Sequence, residues 1–211
     1  MRITKFGHSC LLVEEADARI LIDPGAWSTL PEDLQNINAI LITHEHPDHM
    51  GVEWLKKILP NNPQAVIYTN KGVGEKLKEA NINFKILEDG QSVSLAGVSV
   101  EAFGKDHAII YSGLQHWDNT GFLLANKLFH PGDSLYIPPK PVEVLALPVC
   151  APWGKMSEMI DYAKTIKPKL AFPIHDGMLK ITGPFHKMPE NFLPPAGIEW
   201  RIIESGNTLE I

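Results

Sequence analysis

The hexapeptide His44-Glu45-His46-Pro47-Asp48-His49 places four potential metal ligands within six residues. Neutral imidazole nitrogen and carboxylate oxygen both suit zinc and other borderline divalent ions. A helix is a poor host for this pattern. Side chains two positions apart on a helix point away from one another, so His44 and His46 could not chelate together there. Pro47 also disfavours a helix interior. A sharp turn leaving a strand would instead set His44 and His46 on one ion, and Asp48 and His49 on a neighbouring one. A plain solvated loop has no need of three histidines at this spacing.

Other residues of similar chemistry stand at the ends of apolar runs. Asp23 closes Leu21-Ile22-Asp23-Pro24-Gly25, where a carboxylate leaving a buried strand needs polar partners. Asp133 lies in His130-Pro131-Gly132-Asp133-Ser134, and His175 in Pro173-Ile174-His175-Asp176-Gly177. His107 and His116 share an irregular stretch over 106–119 with Trp117. His8 sits in a Gly7-His8-Ser9 turn, and Cys150 and Trp153 in a loop at 147–154.

The elements that position these residues are short strands and helices. Residues 3–6, 11–13 and 19–22 read as a meander. Residues 39–43, a continuous apolar run, suit a strand buried on both faces and lead directly into the hexapeptide. Helical spacing follows at 52–59 and 74–80, on either side of a strand at 65–68. Strands are predicted at 84–87, 92–95, 98–103, 121–125, 127–130, 144–147, 170–173 and 200–203, with an amphipathic helix at 155–167. Pro184, Pro189, Pro194 and Pro195 predict a mostly irregular segment over 182–197. Strand-rich stretches in both halves, each mixed with helices, fit two packed sheets with helices outside.

Taken in chain order, these motifs resemble the metallo-β-lactamase superfamily. His44-Glu45-His46-Pro47-Asp48-His49 matches its HxHxDH signature, and the motifs around Asp23, His107, Asp133 and His175 follow in the family's order. The resemblance implies an α/β, four-layer αβ/βα sandwich, read here as one domain over residues 1–211. It also implies that His44, His46 and His107 hold one ion, that Asp48, His49 and His175 hold another, and that Asp133 bridges the two. Either His107 or His116 supplies the third histidine; His107 directly follows a strand. Asp23 would orient the ligands, and His8, His116, Cys150 and Trp153 would orient them or shape the pocket. Two divalent ions are implied, zinc first, with manganese, iron or nickel as alternatives.

The chemistry expected of such a site is hydrolysis of a small ester, lactone or phosphodiester by a metal-bound hydroxide, with Asp48 or Asp133 relaying a proton. The early GHS and IDPG elements most resemble a branch of small metal-dependent hydrolases that includes lactonases. Where the di-iron branch has Glu, this chain has His46. Where common binuclear β-lactamases have Cys, it has Asp133. Redox chemistry and antibiotic hydrolysis are therefore disfavoured. An RNA- or DNA-processing nuclease, or a non-catalytic metal-binding member, is the alternative on the same fold. The formal net charge of −6 and the absence of a basic run speak against nucleic acid. Cys10 and Cys150 alone make neither a disulfide framework nor a thiolate zinc site. With no signal peptide and no long apolar run visible, the sequence predicts a cytoplasmic protein off the membrane. Its partner would be a small-molecule substrate, and it could form a homo-oligomer.

Overall fold

The computed structural model describes residues 1–114 and 116–211. In the first sheet, β1 (Arg2–Lys5), β2 (Leu11–Glu15) and β3 (Ala18–Ile22) form an antiparallel meander. β4 (Ala39–Ile42) then joins β3 in parallel. Helix α1 (Val52–Asn61) leads from β4 to the parallel strand β5 (Val66–Thr69), and α2 (Lys71–Glu79) leads on to β6 (Lys85–Ile86). The second sheet begins with antiparallel β7 (Ser92–Leu95), β8 (Val98–Phe103), β9 (Gly121–Leu124) and β10 (Leu128–His130). It ends in parallel β11 (Val144–Pro148), β12 (Leu170–Ile174) and β13 (Glu199–Trp200), with α3 (Met156–Ile166) between β11 and β12. α4 (Gly183–Phe192) precedes β13, and β14 (Thr208–Glu210) returns to pair with β1.

Side-chain alternation along the strands builds the layers. On the inner faces Ile3, Val13, Ile20 and Leu41 of the first sheet meet Val100, Phe122, Ala146 and Phe172 of the second. On the outer face of the first sheet, Leu21, Ile40 and Ile42 pack with Leu55, Ile58, Val73 and Leu77 of α1 and α2. On the outer face of the second, Leu123, Leu145 and Leu147 pack with Met159, Ile160 and Ala163 of α3. The β4 run is thus apolar because both of its faces are covered: Leu41 points inward, Ile40 and Ile42 outward. Each such side chain, fully buried, contributes about 1.5–3 kcal/mol. Two mixed sheets flanked by helices are the αβ/βα sandwich expected.

Three expectations need correction. Residues 182–197 are not mostly irregular, because α4 occupies Gly183–Phe192. Pro184 stands in its first turn, where an amide has no helical partner to lose, and Pro189 and His186 are buried by the helix. The strand predicted at 84–87 shrinks to Lys85–Ile86, and that predicted at 200–203 starts one residue earlier and ends at Trp200, as Glu199–Trp200. The second helix starts earlier than its apolar spacing indicated, because the Asn70 side chain caps it by accepting from the Val73 amide at 3.1 Å.

Candidate metal centre

The loops leaving strand ends of both sheets converge on one edge of the sandwich. The first sheet contributes His8 after β1, Asp23 after β3, and the hexapeptide after β4. The second contributes His107 after β8, Asp133 after β10, Trp153 after β11 and His175 after β12. His44, His46, His107 and Asp133 each offer one ligand atom, all within 4.8 Å of one another. His8, Asp48, His49 and His175 form a second set on the same criterion. Asp133 stands between the sets. Its Oδ1 is 3.1 Å from His49 Nε2, and its Oδ2 is 3.0 Å from His175 Nε2 and 3.5 Å from His107 Nε2.

Backbone strain and close approach hold this arrangement. Asp23 and His175 both occupy left-handed backbone, at φ 47° and 62°. Such residues cost about 1–3 kcal/mol unless their surroundings enforce them, and they concentrate at functional sites. Gly25 is required by contact: a Cβ there would lie 1.7 Å from the Asp48 carbonyl oxygen. Asp23, fully buried, accepts from the Thr43 amide at 2.8 Å and its hydroxyl at 2.7 Å, and from His49 Nδ1 at 2.7 Å.

These partners fix which imidazole nitrogen faces the centre. The Thr43 hydroxyl gives its proton to Asp23, so it accepts from His44 Nδ1 at 3.0 Å. His107 Nδ1 donates to the Ala108 carbonyl at 2.6 Å, and His175 Nδ1 donates to the Cys150 carbonyl. In His44, His49, His107 and His175, Nδ1 is committed outward and Nε2 faces the centre. Each of those four Nε2 atoms is buried without a hydrogen-bond partner, as is Asp133 Oδ1. Leaving one such atom unsatisfied costs about 1–3 kcal/mol. A shared set of orphaned atoms, all of ligand type and all facing one space, fits bound cations.

His8 is wired the other way round. Its Nδ1 accepts from the Gly177 amide at 3.1 Å. Burial pushes its pKa down to about 4, against the pull of Asp48. Neutral His8 therefore carries its single proton on Nε2, which lies 3.2 Å from Asp48 Oδ2 but, like the other four, is buried without an aligned hydrogen-bond partner.

The charges are strongly coupled. Burial, reinforced by His49, holds His44 far below its ordinary pKa, and burial with His107 lowers His46. Burial opposes ionisation of Asp48, but His8 and His49 together outweigh it and take the carboxyl to about 2. Burial opposes ionisation of Asp133 too, yet His49 and His175 hold it well below the carboxylate range. His49 is desolvated, but Asp133 and Asp23 hold it well above its usual value.

A sequence model of the β-lactamase superfamily domain matches residues 2–175. The chain belongs to that superfamily. It is 39% identical over 184 residues to protein Rv0786c of Mycobacterium tuberculosis, with 85% of each chain covered. It is 26% identical over 190 residues to a UPF0173 metal-dependent hydrolase of Thermoplasma volcanium, with 83% of each covered. Among solved structures, Igni18, a metallo hydrolase of Ignicoccus hospitalis, superposes with a TM-score of 0.76 at 21% identity, covering 100% of this chain and 98% of that one.

Within the superfamily frame, all seven residues expected as ligands meet in the two sets, and His8 joins them. His107, not His116, faces the centre. His116 is largely exposed and lies 3.3 Å from Asp106. Trp153 donates from Nε1 to Asp133 Oδ2 at 2.6 Å, so it touches the site directly. Cys150 contributes its carbonyl to His175, while burial raises its thiol pKa. Three contributors were not anticipated. Thr43 links Asp23 to His44. Asn119 accepts from the Asp133 amide at 2.9 Å. Trp27 stands with its ring 4.9 Å from that of His8. The only sequence cue to them was their nearness to named motifs.

Proposed function

We propose that this chain is a metal-dependent hydrolase that holds two divalent ions, zinc in the first instance, and cleaves a small ester, lactone or phosphodiester. The observation that carries this reading is the set of orphaned Nε2 atoms of His44, His49, His107 and His175 gathered around Asp133. His44, His46 and His107 would hold one ion, and Asp48, His49 and His175 the other, with Asp133 shared. Ions so held supply Lewis acidity that lowers the pKa of a water to near neutrality and polarises the scissile bond. Superfamily membership and the metal-dependent hydrolase relative support the same reading.

The chain's own residues do the rest. Asp23, Ala108 and Cys150 keep the imidazoles in the tautomer that presents Nε2, an orienting role that typically matters about 10–100-fold for metal affinity. His8 Nε2 holds Asp48 in place rather than adding a ligand. Asp48 and Asp133 stay ionised at neutral pH and are placed to accept a proton. Trp153, on Asp133 Oδ2, excludes water from one side. The test is elemental analysis of metal-saturated protein, together with a screen over esters, lactones and phosphodiesters. The proposal predicts about two ions per chain and metal-dependent turnover in at least one class. Saturation at one ion or fewer, or turnover unaffected by chelation, would refute it.

A further inference from the structure

The metal centre draws side chains from both sheets, so the gap between the sheets must be fixed for the two halves to meet. His44, His46, Asp48 and His49 follow β4 of the first sheet, while His107, Asp133 and His175 follow strands of the second. Asn119 and Thr120 stand at the seam, just before β9, and each is 1% exposed. The Thr120 amide donates across the seam to the Thr43 carbonyl at 2.9 Å. Asn70 Nδ2 donates to the same carbonyl at 2.8 Å and to the Thr120 hydroxyl at 3.3 Å. Thr43 in turn meets Asp23 through its amide and His44 Nδ1 through its hydroxyl. Thr120 is thereby locked to the first sheet's half of the centre.

Asn119 grips the other half. Its Oδ1 accepts from the Asp133 amide and its Nδ2 donates to the Pro131 carbonyl, both at 2.9 Å. These bonds hold both ends of the Pro131-Gly132-Asp133 turn. Gly132, at φ 63°, is wedged between the two halves: a Cβ there would lie 2.3 Å from Asn119 Oδ1 and 2.7 Å from Thr43 Cβ. His107 belongs to the same unit. The Asn119 amide donates to the Lys105 carbonyl at 2.9 Å, and the Ala108 amide donates to the Asp133 carbonyl at 2.8 Å. The Ala108 carbonyl accepts from His107 Nδ1 at 2.6 Å. One closed set of hydrogen bonds therefore ties His107 and Asp133, distant in the chain, into a single body.

We infer that Asn119 is a positioning residue for the metal centre: it holds Asp133, and through Ala108 also His107, at ligand distance from the hexapeptide, with Thr120 as its anchor on the first sheet. This rests on the two-ion reading above. Asn119 is not a ligand and acts through the backbone of Asp133. A buried amide deprived of its acceptor is driven to find another partner. Without the Asn119 side chain, the turn over 131–133 would shift and carry the shared carboxylate with it.

The experiment compares zinc binding by the parent, Asn119→Ala and Asn62→Ala. Asn62 is the internal standard, because it is fully buried at the end of α1 away from the hexapeptide. It also does similar structural work, accepting from the Ile37 amide at 2.8 Å and donating to the Leu34 and Ile58 carbonyls at 2.7 and 2.9 Å. Both variants should lower the urea midpoint. Competition with a chelator should find zinc held about tenfold to a hundredfold more weakly by Asn119→Ala, the range typical of a partner that orients a ligand. Asn62→Ala should match the parent. Hydrogen exchange on the parent gives a reading that needs no variant: zinc should slow the Asp133, Ala108 and Thr120 amides together and leave the Ile37 amide unchanged. Parent-like zinc affinity in Asn119→Ala, an equal loss in Asn62→Ala, or protection of the Asp133 amide without the other two would overturn the inference and leave the two-ion reading intact. A parent that binds no zinc would sink the two-ion reading, and this inference with it.

Discussion

The two ligand sets look alike in composition and differ in how they are wired. In the set of His44, His46, His107 and Asp133, the tautomers fixed at His44 and His107 present Nε2 as an acceptor of a cation. In the set of His8, Asp48, His49 and His175, one histidine presents an N–H instead, because the Gly177 amide occupies its Nδ1. The bracing differs as well. The first set leans on fully buried Thr43 and half-buried Trp117. The second rests on a buried ion pair, in which Lys5 Nζ reaches Asp176 at 2.7 Å and the Pro173 carbonyl at 2.9 Å, and His186 Nε2 reaches Asp176 at 2.9 Å. Counting donors alone would make the sites equivalent. On the proposed two-ion reading, hydrogen-bond direction would make the first a three-imidazole site and the second a two-imidazole site with a built-in donor.

Asp133 is where the comparison breaks most easily, because it touches both sets. Asp133→Ala removes the one carboxylate shared by His49, His107 and His175 and leaves closely spaced cations without their common counter-charge. Turnover is expected to fall by several orders of magnitude, the scale of losing metal activation of water. Elemental analysis should show occupancy falling below two ions per chain. Ser134→Ala and Cys150→Ser, in contrast, should change turnover little. A large loss in Cys150→Ser with full metal content would mean that a protein nucleophile, not water, attacks.

The Lys5–Asp176 pair tests the second set through stability. Asp176→Asn leaves a buried ammonium without its partner, a loss of about 3–5 kcal/mol for an ion pair of this kind. It also has a pH signature. Burial opposes ionisation of Asp176, but His186 and Lys5 outweigh it and hold its pKa below the ordinary carboxylate value. Its contribution is therefore fully present above the unfolded-state pKa of about 3.9. It is lost as pH falls through the lower folded-state value. Urea midpoints should hold from neutrality to about pH 4 and drop below it, and Asp176→Asn should start lower and drop less steeply. An unchanged neutral midpoint in the variant would show that the pair does not support this side of the site.

The layered fold and the hexapeptide's contribution to both sets were legible in the sequence because they rest on local signals. Alternating apolar runs name the strands, and the HxHxDH turn names its own ligands. Asp23, Asp133 and His175 were reachable because each closes a strand-like run. The choice of His107 over His116 needed the bend that turns one inward and leaves the other on the surface. The proline-bearing helix over Gly183–Phe192 was hidden because proline signals irregularity unless the burial of His186 and Pro189 is known. Lys5 is far in the chain from Asp176 and His186, and nothing in their local sequence announces an ion pair.

His8 is the finest test of the difference between the sets, and its effect on metal content should be nil. Its Nδ1 is filled by the Gly177 amide, and only a doubly deprotonated ring could then also bind an ion through Nε2. A donor role predicts that His8→Gln keeps the ion count of the parent, whereas His175→Ala loses the second ion. With His8 gone, Asp48 loses the N–H 3.2 Å from its Oδ2 and becomes free to rotate. Turnover should fall about tenfold to a hundredfold, the usual range for a partner that orients a ligand. Asp48 should also titrate higher in the variant, moving the acid limb of the pH–rate profile upward, which loss of packing alone would not do. Nitrogen-15 NMR of the imidazoles gives the direct reading: with metal bound, the His8 proton should sit on Nε2, and those of His44, His49, His107 and His175 on Nδ1. Loss of an ion in His8→Gln, or a His8 proton found on Nδ1, would make His8 a ligand and the two sites equivalent after all.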